Sequence, residues 1–281
     1  MGTGLVIARK KVVVPGVDVQ NYDDDPRLRL DPSDYRQRSG DERKWVHLIV
    51  CHTTGGIPGG ADQRPQLVRP GLGPPTGGGA RVVASWTHDR ERPGGAHLVV
   101  DQDGSAYCCA DLLLEAAYHA KTANGCSVGV EVVQGREHAD VYYGQLDAAS
   151  KLILWVCRYM PVPIQWQVPA RYGGGPSARI TSSMLGRPPL ADIVGVVGHR
   201  DLTSTRGAGD PGDAMMDALE RAGCERFDFA AGQDLAVWRE RQRALGLVAH
   251  DGVPGLATAR ALAAAGYPDG VWMAPDGPQR P

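Results

Sequence analysis

Strong charge of either sign is missing from this chain of 281 residues: 30 Lys and Arg stand against 32 Asp and Glu, a net charge of −2. A near-neutral chain without a long basic run has no electrostatic footprint for nucleic acid or an anionic membrane surface, and no nucleic-acid partner is expected. No stretch approaches the roughly 20 apolar residues of a membrane span, and none is expected. No Cys-x-x-Cys pair occurs among Cys51, Cys108, Cys109, Cys126, Cys157 and Cys224. A chain this long, 42% hydrophobic, does not need a disulfide framework, so these thiols read as buried or unbridged. No secretory leader is expected from the opening residues either. "MGTGLVIARKKVVVPGVD" puts its basic residues after a very short apolar run, the reverse of a signal peptide. The expectation is synthesis in the cytoplasm, with any action outside it reached by release or delivery.

What the chain does have is 37 Gly and 21 Pro, many of them clustered at 55–79 and 161–190, which read as loop insertions. "WVHLIVCHTTGG" is a continuous apolar run stopped by glycines, a buried strand. "KKVVVPGVDV" reads as a short strand before a polar, charged stretch to Lys44. "ARVVASW" suits a short helix or strand. "AHLVVDQDGSAYCCA" reads as a hairpin turning at Asp-Gly, and "CSVGVEVV" as an alternating strand. Apolar residues at 146, 149, 152, 153, 156 and 160 predict a helix over 144–160, ending before Pro161. "DIVGVVGHRD" reads as a strand with His199 as its last residue, and "DPGDAMMDALERAG" as a helix closed by Gly223. This order is α/β. Two short helices are expected after residue 231.

Four residues carry candidate chemistry. His52 shares a strand face with Val46, Leu48 and Val50 and stands at the strand's carboxyl end, where α/β sheets place their sites. His199 repeats that pattern. Asp210, eleven positions on, either caps a turn in "DPG" or completes a three-ligand set with the two histidines. Catalytic zinc takes three protein ligands and keeps one position for water, whose pKa it lowers to about 7. Glu131 shares the strand face of Ser127 and Gly129. It is either half exposed and paired to an arginine, or a general base with its pKa raised by burial.

"VHLIVCHTT", "GGAHLVVDQDGSAY", "AAYHAKTANGCSVGVEVV" and "VGVVGHRDLTSTRGAGDPG" occur in the order found in the type 2 N-acetylmuramoyl-L-alanine amidases, the family that includes the peptidoglycan recognition proteins. The resemblance covers about 44–223 and implies a mixed central β-sheet flanked by helices. It implies a Zn2+ ion held by His52, His199 and Asp210, and cleavage of the amide between the lactyl group of N-acetylmuramic acid and L-alanine of the stem peptide. It makes Glu131 the general base, and His119 and Asn124 groove residues. Ala96 stands where other members carry tyrosine, and His97 after it is structural or groove-lining. Ala208 stands where active members carry the lysine that stabilises the oxyanion. Arg206, two residues earlier, is expected to reach that place, with a guanidinium's different hydrogen bonding. His88, His138 and His250 read as surface residues.

The C-terminal segment resembles a small three-helix peptidoglycan-binding domain through Gln242, Leu245-Gly246, Asp251-Gly252, Gly255 and Thr258, without the usual closing Phe-Gln. Tethering an enzyme to its polymer raises the local substrate concentration. The expected organisation is an N-terminal extension over 1–43, a zinc amidase domain over 44–230 and a wall-binding helical domain over 231–281. The expected protein is a monomeric, bacteriolytic enzyme with peptidoglycan as its partner, a phage-type endolysin or a delivered wall-degrading enzyme rather than a recycling enzyme. Two other readings stand beside it: a non-catalytic muropeptide-binding module, and a zinc hydrolase of another amide.

Overall fold

Three apolar runs, at 48–53, 127–132 and 195–198, lie side by side at the centre of the molecule. The computed structural model describes residues 4–40, 42–54, 67–75, 83, 94–135, 140–159, 166–167, 195–202, 209–226, 232–248, 250–251 and 256–265. In chain order the strands are β1 (Leu5–Ile7), β2 (Lys10–Val12), β3 (Val19–Asn21), β4 (Tyr35–Gln37), β5 (Leu48–Thr53), β6 (Leu67–Arg69), β7 (Leu98–Val100), β8 (Ala106–Cys108), β9 (Glu115–Ala117), β10 (Ser127–Val132), β11 (Asp140–Tyr142), β12 (Trp166–Gln167), β13 (Gly195–Gly198) and β14 (Glu225–Arg226).

Eight of these form the central sheet in the order β14, β12, β13, β5, β10, β7, β8, β3. The first six are parallel; β8 turns back against β7, and β3 runs parallel to β8. The sheet is therefore mixed, and the fold is α/β as expected. All six residues of β5 are buried, and in β10 only Glu131 is not. That is why these strands read as near-continuous apolar runs: both faces are covered. The helix Tyr143–Tyr159 buries Leu146, Ala149, Leu152, Ile153 and Val156 on one face and packs against the helix Asp213–Arg221, which contributes Met215, Met216 and Leu219. Each such large side chain contributes about 1.5–3 kcal/mol on burial.

Several readings of the sequence change. "KKVVVPGVDV" is not one strand: β2 and β3 are separate, with Gly16 at φ +75° between them. The insertion at 55–79 is not all loop, because β6 lies within it and pairs in parallel with β11. The insertion at 161–190 contributes β12, seated between β13 and β14. Neither "LVR" nor "WQ" is long enough to show a strand period. Of "ARVVASW" only Val83 is among the described residues. β13 ends at Gly198, so His199 is the first residue of a one-turn helix, His199–Leu202, and not the last of the strand.

The polar N-terminal stretch is folded into the body of the protein. Leu5, Val6, Ile7, Val14 and Val19 belong to the main apolar core, and β3 forms one edge of the sheet. At the other end, the helices Gly232–Ala244 and Leu256–Ala264 match the expected pair. Gln242 Nε2 links them, 3.0 Å from Asp251 Oδ1 and 3.2 Å from Thr258 Oγ1, and Trp238 and Leu262 join the main apolar cluster. None of the six cysteines is disulfide-bonded, and all but Cys126 are buried.

Candidate metal centre

β5 and β13 are adjacent and parallel, so their carboxyl ends open at the same edge of the sheet. His52 is the penultimate residue of β5, and His199 follows β13 directly. Asp210 is brought across by three hydrogen bonds. Thr53 N donates to its Oδ1 at 3.2 Å, Thr53 Oγ1 donates to Gly209 O at 2.7 Å, and Arg200 N donates to Asp210 O at 2.8 Å. Together His52, His199 and Asp210 form a buried group whose ligand atoms all lie within 4.8 Å of one another.

The spacing suits a small cation. His52 Nδ1 lies 3.6 Å from Asp210 Oδ1, and His199 Nδ1 lies 3.1 Å from Oδ2. Four-coordinate zinc with bonds near 2.05 Å has ligand atoms about 3.3 Å apart, and each histidine Nδ1 lies near that distance from a different oxygen of the Asp210 carboxylate. Two imidazoles and one carboxylate also match a catalytic zinc set, in which protein ligands leave a coordination position open.

Glu131 lies in direct register with His52 across the β10–β5 ladder, with Val99 opposite on the other side. Register partners in a parallel sheet point their side chains to the same face, strands being roughly 4.8 Å apart. The half-exposed Glu131 carboxylate is therefore a lateral neighbour of the three-residue group. Two positions down β10, Gly129 leaves room that the His119 ring occupies: a Cβ at Gly129 would come 2.6 Å from that ring. His119 Nδ1 is 3.0 Å from His52 Nε2, and its Nε2 is 3.1 Å from Ser127 Oγ. Burial first, and then His52 and His97 nearby, hold the His119 pKa well below its usual value. Asn124 Oδ1 accepts from His119 N at 3.1 Å and from Ala120 N at 2.6 Å, fixing the turn that aims the ring.

His97 lies beneath the site and does not line it. It is fully buried; Gly129 N donates to its Nδ1 at 3.0 Å, and its Nε2 is 2.9 Å from Glu115 O. Burial, and then the charge of Arg38, push its pKa down from 6.5 to about 3. A histidine depressed in the folded state contributes stability that is complete above pH 6.5 and lost as pH falls from there toward 3, because only the unfolded chain takes the proton. Acidification to pH 5 is expected to cost about 2 kcal/mol through this residue. Urea unfolding at pH 7 and pH 5 should therefore show a steeper loss for the wild type than for His97→Gln. Equal losses would contradict it.

Two contributors were not singled out in the sequence. Ser127 was noted only as a strand-face neighbour of Glu131. Arg38, hidden in a polar run, is 1% exposed beneath the site. Its guanidinium donates to the carbonyl oxygens of Leu112, Leu113, Asn124, Gly125 and Ser127. Burial pulls its pKa down to about 10, so it stays charged at neutral pH. His47 is fully buried and His250 exposed. Arg206, Ala208, His88 and His138 lie outside the described residues.

A family model described as N-acetylmuramoyl-L-alanine amidase matches residues 41–213, more than half of the chain. No curated protein matches. Among solved structures, the chain is similar to Drosophila peptidoglycan recognition protein SD at 11% identity, covering 73% of this chain and 94% of that one, with a TM-score of 0.42. It is similar to the peptidoglycan recognition protein Hd of Alvinella pompejana at 16% identity, covering 74% and 99%, with a TM-score of 0.40. A third likeness, at 15% identity, 72% and 95% coverage and a TM-score of 0.42, is to the ectodomain complex of peptidoglycan recognition proteins LCa and LCx bound to tracheal cytotoxin.

Proposed function

Since the chain belongs to the N-acetylmuramoyl-L-alanine amidase family, we propose that it hydrolyses the amide between N-acetylmuramic acid and the L-alanine of the stem peptide in bacterial peptidoglycan. The observation that carries this reading is the buried His52, His199 and Asp210 group beside Glu131. Those three residues would hold a zinc ion, which supplies Lewis acidity and a bound water of lowered pKa. Glu131 accepts the proton of the attacking water on a carboxylate oxygen and returns it to the leaving amine nitrogen. The role proposed for Arg206 is stabilisation of the developing oxyanion, in place of the family's lysine. His119 borders the groove on a turn held by Asn124, and His97 keeps that floor in place.

The C-terminal segment 231–281, whose helices Gly232–Ala244 and Leu256–Ala264 are joined through Gln242, serves as a wall-binding element for the 44–230 catalytic domain. That pairing favours a lysin or a delivered wall-degrading enzyme, acting as a monomer. A second reading is favoured by Ala208, which replaces an oxyanion donor: a module that binds muropeptide without cleaving it.

The test is zinc content per chain together with digestion of purified peptidoglycan, the products identified by mass spectrometry. About one zinc per chain, with stem peptides released by the wild type and a loss of at least 10²-fold in Glu131→Ala, is the expected outcome. Zinc without stem-peptide release supports the binding module instead.

A further inference from the structure

A histidine binds a metal through an unprotonated ring nitrogen, and His52 has two to choose between. The choice is made by a run of hydrogen bonds that starts on a backbone carbonyl. Ser127 Oγ lies 2.6 Å from Ala123 O. A carbonyl only accepts, so this contact takes the single proton of the hydroxyl. Ser127 Oγ then accepts from His119 Nε2, 3.1 Å away. A neutral imidazole protonated on Nε2 carries a lone pair on Nδ1. His52 Nε2, 3.0 Å from His119 Nδ1, is the donor to that lone pair. The one proton of His52 is thereby held on Nε2. Its Nδ1, the nitrogen 3.6 Å from Asp210 Oδ1, is left as the ligating atom.

The surroundings hold this run in one direction. His119 is confined from below by Gly129, where a Cβ would come 2.6 Å from the ring, and its backbone is held by Asn124. The His97 ring meets it edge-on at 5.6 Å between centroids. Ser127 is fully buried, and its own carbonyl accepts from Arg38 Nη2 at 2.5 Å. In the opposite direction the Ser127 hydroxyl would donate to His119 Nε2, leaving its oxygen 2.6 Å from the Ala123 carbonyl oxygen with no proton between them.

We propose that Ser127 and His119 are positioning residues: they lock His52 in the Nε2–H tautomer and so present Nδ1 to the metal. The consequence for metal binding rests on the metal-centre reading above, whereas the tautomer is a property of the chain itself. Outer partners that orient a metal-binding histidine typically contribute 10–100-fold in affinity.

The experiment uses full-length protein. Long-range proton–nitrogen correlation NMR of the metal-free form reads the His52 tautomer, and competition with a chelator reads the zinc Kd. The wild type is expected to show His52 protonated on Nε2. Ser127→Ala should mix the two tautomers and raise the zinc Kd by about 10–100-fold, and Ser127→Thr, which keeps the hydroxyl, should restore both. If Ser127→Ala does not fold, His119 carries the same test. His119→Asn keeps an acceptor oxygen near the Nδ1 position and should preserve the tautomer; His119→Leu should not. A wild type with His52 protonated on Nδ1 overturns the proposal. So do Ser127→Ala and His119→Leu proteins that keep the wild-type tautomer. A wild type with the Nε2–H tautomer that binds no zinc upholds the positioning run and sinks the metal-centre reading alone.

Discussion

Asp210→Asn is expected to abolish peptidoglycan hydrolysis and weaken zinc binding by well over 10²-fold. An outer partner of a metal ligand is typically worth 10–100-fold, and Asp210 is proposed as a ligand itself. The substitution is nearly isosteric. An asparagine oxygen can still accept from Thr53 N, so the loop stays pinned and the effect is one of charge and donor type. Without metal, the variant should be as stable as the wild type or more so, because a carboxylate 2% exposed is costly to bury. With zinc at about 1,000 times the wild-type Kd, the wild type should gain roughly 4 kcal/mol and the variant less than about 1.4 kcal/mol. Melting curves of both proteins with and without zinc separate the two effects. A variant that binds zinc as tightly as the wild type would remove Asp210 from the ligand set.

Arg38→Ala carries the second large effect, this time on stability. Five backbone carbonyls converge on one buried guanidinium, and no carboxylate among the described residues is bonded to it. Hydrogen bonds to a charged donor contribute about 1.5–3 kcal/mol each, and every orphaned buried acceptor costs about 1–3 kcal/mol. Even with partial relaxation, a loss of at least about 4 kcal/mol is expected. That is a large share of the roughly 5–15 kcal/mol that keeps a domain folded. Arg38→Lys should recover little, since a single ammonium cannot fan out to carbonyls on both sides of its stem. Urea midpoints and soluble yield measure this, and a loss below about 1 kcal/mol would show that water or rearrangement satisfies the carbonyls.

The residues that gather at the candidate metal centre were legible because each stands at a strong local signal. His52 and His199 follow continuous apolar runs, and Asp210 precedes Pro-Gly. The helix at 143–159 and the hairpin between β7 and β8 were legible for the same reason: a full period of apolar residues, and an Asp-Gly turn in which Gly104 takes φ +82°. What stayed hidden was long-range. Arg38 looks like any surface arginine until 74 to 89 residues later the chain supplies its acceptors. His97 carries the same letter as the site histidines, and only the Gly129 and Glu115 contacts make it part of the floor. The two- and three-residue strands β6 and β12 have no period of their own; their partners define them.

The edge strand β3 has a consequence for dissection of the protein. The family match begins at residue 41, yet β3, at 19–21, covers the open side of β8, and Asp111 receives the Ala8 and Arg9 amides. A fragment cut at the match boundary would bare the hydrogen-bonding rim of β8 and uncover the Cys108 thiol that faces Val6. A bared rim of that kind recruits strands from other chains. The matched stretch is thus not a cassette that can be lifted out or exchanged between proteins: the first forty residues travel with it.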